Sequence, residues 1–451
     1  MIAATAHARR GVRGDTTAVD APTTAPDRPC PRDFRYWDHL AHPRVQALRA
    51  AVRAVLRFDP APADEVVRAI AAMYYDADPV AEAFVAEAYR GPGGTGRALL
   101  ERALAGGIDA VPDAPPSLRA LLADVDTDPP WLDWAEVERG ARVFRRFGVD
   151  VFRFAGAITL EGYAEASVAK PLALTGAYAG ATTRRRFLET VAFWIAVSEP
   201  SGLRPGAAGH ASALRVRVMH VFVRSRLASH REWDHAAWGV PISQGDALLT
   251  LMGGSFAPGL ALHAMGYLPS RADILALMAF WRYVGHLMGV RPGWYPTTLT
   301  EAAQLTFVTL VKGARRAGDD GRALCQAYAK AFEPAPPAPD APLRARLRDA
   351  LEHRLHLGYT RFFTSRRTYA GNGLPPAGPW ALAPLVQAPV IGAAELLRRL
   401  VPPLDAVADR VARHRRDRWF AWQMGGRAAE YQPAEQFTRQ GSGETSTTGC
   451  G

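Results

Sequence analysis

The segment Leu214–Leu227, LRVRVMHVFVRSRL, holds the residues whose types and spacing best suit cofactor chemistry. Its only histidine, His220, comes three positions after Arg217 and four before Arg224. At about 3.6 residues per helical turn, the three side chains project from one face. A neutral imidazole can ligate iron, and two arginines can pair with two propionates. The spacing therefore indicates a haem-binding helix.

A second cluster precedes it, in the segment TTRRRFLETVAFW, Thr182–Trp194. Arg186 and Thr190 lie one helical turn apart and share a face with Phe193, and Glu189 lies beside them. An amphipathic helix with a basic first turn would give the same pattern. The cluster alone therefore does not decide between a structural and a functional role.

Helices must position both clusters, because apolar residues recur at spacings of three and four along most of the chain. Strict alternation, which is typical of strands, is almost absent. We therefore predict an all-α fold, a multi-helix bundle. The periodic segments are 43–57, 64–74, 79–90, 134–148, 187–198, 212–228, 271–289, 300–315 and 343–360. Residues 371–389, rich in proline and glycine, are predicted to form an irregular wrap before a last helix over 391–418.

Composition predicts further divisions of the chain. Residues 1–30 are rich in Ala, Thr, Asp and Pro, the run EPAPPAPDAP at 333–342 is a stiff connector, and the C-terminus is of low complexity. The predicted segments are a disordered arm at 1–30, an N-terminal helical lobe at 31–127, a main core at 128–333, C-terminal helices and the wrap at 343–420, and a disordered tail at 421–451.

Charge and cysteine usage limit the classes of partner. The net charge of +10 permits binding to nucleic acid, but the arginines are spread between apolar residues, which favours solvated helix faces. We therefore expect no nucleic-acid partner. The cysteines, Cys30, Cys325 and Cys450, lie far apart, without the spacing of a disulfide framework or a zinc site.

Two segments bear on location. The Arg9-Arg10 pair is not followed by the apolar core of an export signal, so we expect a cytoplasmic protein. The uncharged run 247–268 is interrupted by glycines and by Pro258, which predicts two buried helices joined by the turn GGSFAPG and no transmembrane span. Peripheral contact with a membrane and the oligomeric state stay open.

The two clusters together resemble a known family. An Arg-x-x-x-Thr helix is followed by Arg-x-x-His-x-x-x-Arg, and 34 positions (220 − 186) separate the arginine and the histidine. This is the pattern of the bacterial latex clearing proteins, the haem b rubber oxygenases, and of the broader group that includes the fungal mpaB-type oxygenase. WGVPISQGDALLTLMG from Trp238, and Ala272–Thr298 with its Trp-Arg-Tyr-x-Gly helix and Gly-Val turn, resemble the same family. The resemblance covers roughly residues 128–315.

The resemblance implies a function and roles for these residues. It implies a globin-like core around haem b, with dioxygen as co-substrate and oxidative cleavage of a C=C bond in a hydrophobic small molecule or polyprenyl chain. His220 matches the axial iron ligand, and Arg217 and Arg224 match its flanking arginines. Arg186 and Thr190 match a pair on the distal-side helix, and with Glu189 they are our candidate catalytic residues.

Glu189 departs from the family pattern. In the latex clearing proteins the residue before that threonine is a lysine, which can occupy the sixth iron position in a closed state. A carboxylate mimics a neutral amine poorly, and its burial costs energy unless it is protonated or paired with Arg185 or Arg186. Either the sixth position is open or holds water, or Glu189 has another role such as proton transfer. The catalytic glutamate of the family lies upstream, with Glu161 and Glu165 as candidates.

Two other functions remain open at this point. One is a non-catalytic haem protein, such as a redox carrier or gas sensor, which the change at Glu189 keeps open. The other is an arginine-rich helical nucleic-acid binder built on 203–231. His286, in WRYVGHLMG, is interpreted as a core residue that could line the pocket.

Overall fold

The computed structural model describes residues 30–90, 95–176, 182–334 and 342–425. Within these ranges the regular secondary structure is helical, and extended pairing is limited to one antiparallel bridge between Phe34 and Gly313. The predicted all-α fold is confirmed. The predicted arm, apart from residue 30, and the tail beyond residue 425 lie outside the described residues.

The N-terminal part contributes short helices. They are α1 Tyr36–Leu40, α2 Pro43–Leu56, α3 Asp64–Ala72, α4 Pro79–Phe84, α5 Thr95–Gly106 and α6 Pro116–Asp126. Asp78 starts α4, because its side chain accepts a hydrogen bond from the amide of Ala81 while Pro79 occupies the first turn. The N-cap also fixes the position of the buried Asp78 carboxylate, which binds Arg217.

The central helices carry both predicted clusters. They are α7 Trp134–Arg146, α8 Gly148–Gly162, α9 Ala166–Thr175, α10 Thr182–Ser198 and α11 Ala208–Leu227. The periodic patterns predicted α7, α10 and α11 but missed α8 and α9. Helix α9 contains Pro171, and α8 begins at Gly148, which has a positive φ of 58°. Residues of these types normally end a helix.

Six further helices follow α11. They are α12 His235–Trp238, α13 Gln244–Gly254, α14 Phe256–Ala261, α15 Arg271–Leu287, α16 Leu299–Lys312 and α17 Gly318–Lys330. The uncharged run is broken at Ser255, as the glycines and Pro258 predicted, but the break is a single residue and Pro258 lies within α14. Proline is tolerated in a first turn because the amide it lacks would have no partner there.

The C-terminal helices differ from the prediction. They are α18 Leu343–Phe363, α19 Arg366–Gly371, α20 Ala383–Leu400 and α21 Pro403–Met424. The predicted wrap over 371–389 is wrong in its second half, because α20 begins at Ala383 and includes Pro389. The single predicted helix over 391–418 is divided at Val401 and Pro402, and α21 continues into the first residues of the expected tail.

Helix α11 lies inside this assembly. Helices α4, α10 and α15 pack against it, and its Leu214, Val216, Val218 and Val221 belong to one apolar cluster with members from Phe34 to Met424. Polar side chains on the buried faces of such a helix require internal partners. The predicted segment boundaries at residues 127 and 333 remain predictions.

Candidate cofactor site

His220 lies in the second half of α11, and its imidazole has unusual surroundings. Among the described residues, neither ring nitrogen has a hydrogen-bond partner. Burial, and then the positive charge of Arg224, lower the pKa of His220 to about 4, so the ring is neutral at pH 7. The side chain nevertheless keeps partial accessibility, which means that open space adjoins a ring surrounded by protein atoms. A neutral imidazole with a free lone pair beside open space is available as a ligand.

His286 in α15 is the alternative imidazole in this region. Its Nε2 is buried without a hydrogen-bond partner among the described residues, and burial and then Arg291 lower its pKa to about 4. The ring stacks on Tyr283 at 5.8 Å between centroids and meets the edge of Trp131 at 5.8 Å. Its unpartnered nitrogen is therefore enclosed, whereas the ring of His220 is reachable.

Arg217 is held by carboxylates from two other helices. Its guanidinium binds Asp78 in a bidentate pair, with Nε–Oδ2 and Nη2–Oδ1 distances of 2.8 and 2.9 Å. Its Nη1 donates to Asp124 of α6 at 2.7 Å. The Arg217 side chain is only 1% exposed, so these contacts satisfy a buried charge. They fix α11 to the N-terminal helices.

The Gly-Val turn after α15 closes over this ion pair. Gly289 has a φ of +76°, and a Cβ there would lie 2.0 Å from Oδ2 of Asp78 and 2.6 Å from Nε of Arg217. Only glycine fits both the backbone conformation and the close approach. Gln244 donates to the carbonyl of Gly289 at 3.0 Å and accepts from the amide of Arg291 at 2.7 Å. The turn is thus tied to the start of α13.

Arg224 holds the loop before α13. Its Nε donates to the carbonyl of Pro241 at 2.9 Å and its Nη2 to that of Ile242 at 2.6 Å, while Nη1 reaches Glu82 at 3.3 Å. Ile242 has a φ of +51°, a strained value for a β-branched residue. Arg224 therefore stabilises this turn. Both segments that resemble the family, the one from Trp238 and the one over Ala272–Thr298, thus contact α11.

The second cluster has local partners. Glu189 in α10 is 5% exposed and accepts from Nε of Arg185 at 3.0 Å and from Nη1 of Arg186 at 2.9 Å. Thr190 donates its hydroxyl to the carbonyl of Arg186 at 3.2 Å. Of the alternatives for a buried Glu189, pairing with both arginines is the one found. Helix α10 packs directly against α11.

The upstream glutamates have different surroundings. Glu161 accepts from the amide of Ser365 and from the hydroxyl of Thr368, each at 2.6 Å, and so holds the start of α19. Glu165 lines a small pocket of about 20 Å³ together with Tyr74 and Lys312, which is room for about one water molecule. Glu161 therefore has a structural task, and only Glu165 borders open space.

Sequence reasoning missed the acids that satisfy the two arginines. Asp78, Glu82 and Asp124 come from helices far from α11 in the sequence. The available signal was local: an aspartate directly before a proline, with a glutamate in the following turn, is typical of a helix start. That pattern predicts an N-cap but not the second role of Asp78 as the partner of a buried arginine.

Comparison with known proteins assigns the chain to a family. The family model described as "ER-bound oxygenase mpaB/B'/Rubber oxygenase, catalytic domain" matches residues 144–426, more than half of the chain. The rubber oxygenase of Streptomyces sp. (strain K30) is 26% identical over 203 residues, 44% of this chain and 47% of that protein. The chain thus aligns with about half the length of this curated relative.

A latex clearing protein solved in its closed state is similar with a TM-score of 0.49 and 20% identity, over 80% of this chain and 87% of that chain. The stretch matched by the family model includes α10 and α11 and continues past residue 333 through α21. The chain belongs to the family of mpaB-type and rubber oxygenase catalytic domains.

Proposed function

We propose that this chain is a haem b-dependent oxygenase that cleaves C=C bonds in a hydrophobic, isoprenoid substrate. The observation that carries the proposal is His220, a neutral and reachable imidazole without a hydrogen-bond partner among the described residues. Family membership supplies the reaction class, and the name of the streptomycete relative, rubber oxygenase, suggests the kind of substrate.

The donor set around His220 fits a haem better than a bare ion. Within the described ranges, no three His, Cys, Asp or Glu residues gather into a metal site. A bare transition metal requires three or four protein ligands, whereas a porphyrin supplies four nitrogens and requires one axial side chain. The chain has no Cys-x-x-Cys-His sequence for covalent attachment, so the proposed cofactor is b-type.

Arg217 and Arg224 support the histidine in this proposal. Both guanidinium groups already donate to protein acceptors through Nε, Nη1 and Nη2. Their role in this proposal is to fix the position and orientation of α11. We therefore no longer expect them to bind the propionates of the haem. Both are buried and paired, which also removes them as phosphate contacts for a nucleic acid.

The overall reaction requires one dioxygen molecule. Both carbons of the C=C bond gain one oxygen atom each, the bond between them breaks, and two carbonyl ends result without an external reductant. When bound, the haem supplies an iron centre that activates dioxygen. The apolar side chains around α11 exclude water, and we assign Arg186, Glu189 and Thr190 to the distal side. A carboxylate held in two ion pairs mimics a neutral amine poorly, so Glu189 would not take the ligand role that the lysine has in latex clearing proteins.

Replacement of His220 tests the cofactor assignment. His220→Ala should abolish stable haem binding, measured per chain by the pyridine haemochrome method. His286→Ala is the matched control, because it removes an unpartnered imidazole from α15, which packs against α11, and it should retain haem. Full haem in His220→Ala would contradict the proposal, and loss of haem only in His286→Ala would move the ligand to α15.

Turnover separates the oxygenase from a haem protein without catalysis. The haem-loaded chain should consume dioxygen in the presence of polyisoprene oligomers and release carbonyl-ended fragments. The alternative of a redox carrier or gas sensor stays open because a buried Glu189 ion pair stands in place of the lysine found in latex clearing proteins. Haem binding without oxygen uptake or fragments would support that alternative.

A further inference from the structure

Helix α20 is anchored to the protein by its small and charged residues. Gly266, with a φ of +86°, lies so close to α20 that a Cβ there would be 2.1 Å from the carbonyl oxygen of Ala388 and 2.8 Å from the amide of Gly392. Glu395, 5% exposed, pairs with Arg146 at 3.3 Å and Arg398 at 3.2 Å. The inner side of α20 therefore combines a close backbone contact with buried ion pairs.

The outer face of the same helix is apolar. Val386, Val390 and Leu400 are 75%, 74% and 78% exposed. At about 100° per residue they share one side of the helix, away from Glu395. The other exposed apolar side chains of this face are Leu385, Pro389, Leu396 and Leu397. This is the reverse of a soluble amphipathic helix, and a contiguous apolar surface of this kind marks an interaction site.

Basic side chains border this face. On α21, which packs against α20, Val407 and Val411 are also exposed, and the exposed basic residues of the two helices include Arg399, Arg410, Arg415 and Arg418. The acids of this region are mostly turned inward: Asp405 pairs with Arg398 at 2.7 Å and Asp409 with Arg145 at 2.7 Å. The outer rim is therefore positively charged, on a chain of net charge +10.

We propose that the outer face of α20 binds the surface of a bilayer that contains anionic lipids. The helix would lie parallel to the membrane plane, with its valines and leucines among the acyl chains and the bordering arginines at the headgroups. This interaction is independent of the proposed oxygenase activity, because none of its residues belongs to the cofactor site.

The charge pattern favours a membrane over a second copy of the chain. A two-fold contact would place the same arginine-bordered face on both sides and bring like charges together. Two segments, Gln244–Met265 and Gly378–Leu400, are long and apolar enough to cross a bilayer by length and composition. For α20, crossing would require Glu395 to leave its buried pairs with Arg146 and Arg398, which is strongly unfavourable.

Vesicle flotation with the full chain tests the proposal. The wild type should float with vesicles of phosphatidylcholine and phosphatidylglycerol, less with phosphatidylcholine alone, and less in high salt. Val386→Asp/Val390→Asp should bind at least about tenfold more weakly, because two exposed valines no longer enter the apolar layer. The matched control, Val55→Asp/Leu310→Asp, changes side chains that are 77% and 71% exposed elsewhere and should float as the wild type does.

Several outcomes would overturn the proposal. They are failure of the folded wild type to float with the anionic vesicles, equal flotation of the Val386/Val390 variant, and equal loss in the control. A wild-type dimer that the Val386/Val390 variant converts to monomer would identify a second copy as the partner. Resistance to alkaline carbonate extraction would indicate a spanning helix instead of surface binding. Circular dichroism of each variant shows whether it remains folded.

Discussion

Helices α10 and α11 pack against each other, yet they satisfy their charges in different ways. In α11 the partners of Arg217 come from α4 and α6, 139 and 93 positions away in the sequence. In α10 both partners of Glu189 come from the same helix, three and four positions before it. The charge of Arg217 is therefore satisfied across the fold, and that of Glu189 within its own helix.

The difference separates fixed from adjustable parts of the proposed site. The contacts of Arg217 form only when three helices are assembled, so the position of His220 is coupled to global folding. The Glu189 pairs can form within one helix, and their rearrangement requires side-chain rotation but no unfolding. In the proposed site, the axial side would therefore be rigid and the distal side adjustable.

The largest effect is expected from removing the buried ion pair of Arg217. Arg217→Leu leaves Asp78 buried without its cation, and loss of one partner of a buried pair typically costs about 3–5 kcal/mol. We expect a loss of this order in the free energy of unfolding, measured by chemical denaturation, and lower haem occupancy in the folded fraction. Arg224→Leu should cost less, because it removes hydrogen bonds to two carbonyls and a contact with the half-exposed Glu82.

Arg215→Leu is the matched control on the same helix. Arg215 binds Glu101 at 2.7 Å, but the two side chains are 31% and 40% exposed. Pairs near the surface are worth about 1 kcal/mol or less, so this variant should remain close to wild-type stability. Equal losses in Arg215→Leu and Arg217→Leu would show that the inward contacts of α11 are no stronger than its outward ones.

A smaller effect uses pH to sharpen the same comparison. In the haem-free chain the folded pKa of His220 is about 4, whereas an unfolded histidine has a pKa of about 6.5. The unfolded state therefore binds more protons between these values, and stability falls as pH falls from about 6.5 to about 4. His220→Ala removes this contribution. The free energy of unfolding of the variant, relative to that of the wild type, should therefore rise as the pH falls from about 6.5 to about 4. A constant difference in denaturation midpoints would show that His220 keeps its ordinary pKa.

The sequence predicted the helix that carries His220 better than the contacts that hold this helix in place. Helical periodicity located α11 and His220, and the family spacing pointed to α10, because both depend on short-range patterns. The partners of Arg217 and Arg224 were not predictable, since nothing in the local sequence near Asp78 or Asp124 indicates which helix they meet. The prediction likewise missed the first half of α20, where prolines lie in the first two turns.

The smallest expected effect concerns the adjustable side. Glu189→Lys restores the residue found in latex clearing proteins, and its amine can ligate the iron only after losing a proton. Burial and the positive charges of Arg185 and Arg186 both favour the neutral amine, so they lower the pKa of the introduced lysine. We expect the ferric spectrum of the haem-loaded variant to shift toward six-coordinate low-spin as pH rises.

The matched control, Glu189→Gln, removes the same charge without adding a basic nitrogen, so its spectrum should follow the wild type. Identical spectra for the Lys and Gln variants from neutral to alkaline pH, with haem content intact, would place residue 189 away from the iron. The distal assignment of Arg186 and Thr190 would then fail with it, while the axial role of His220 would stand on the haem content of its own variant.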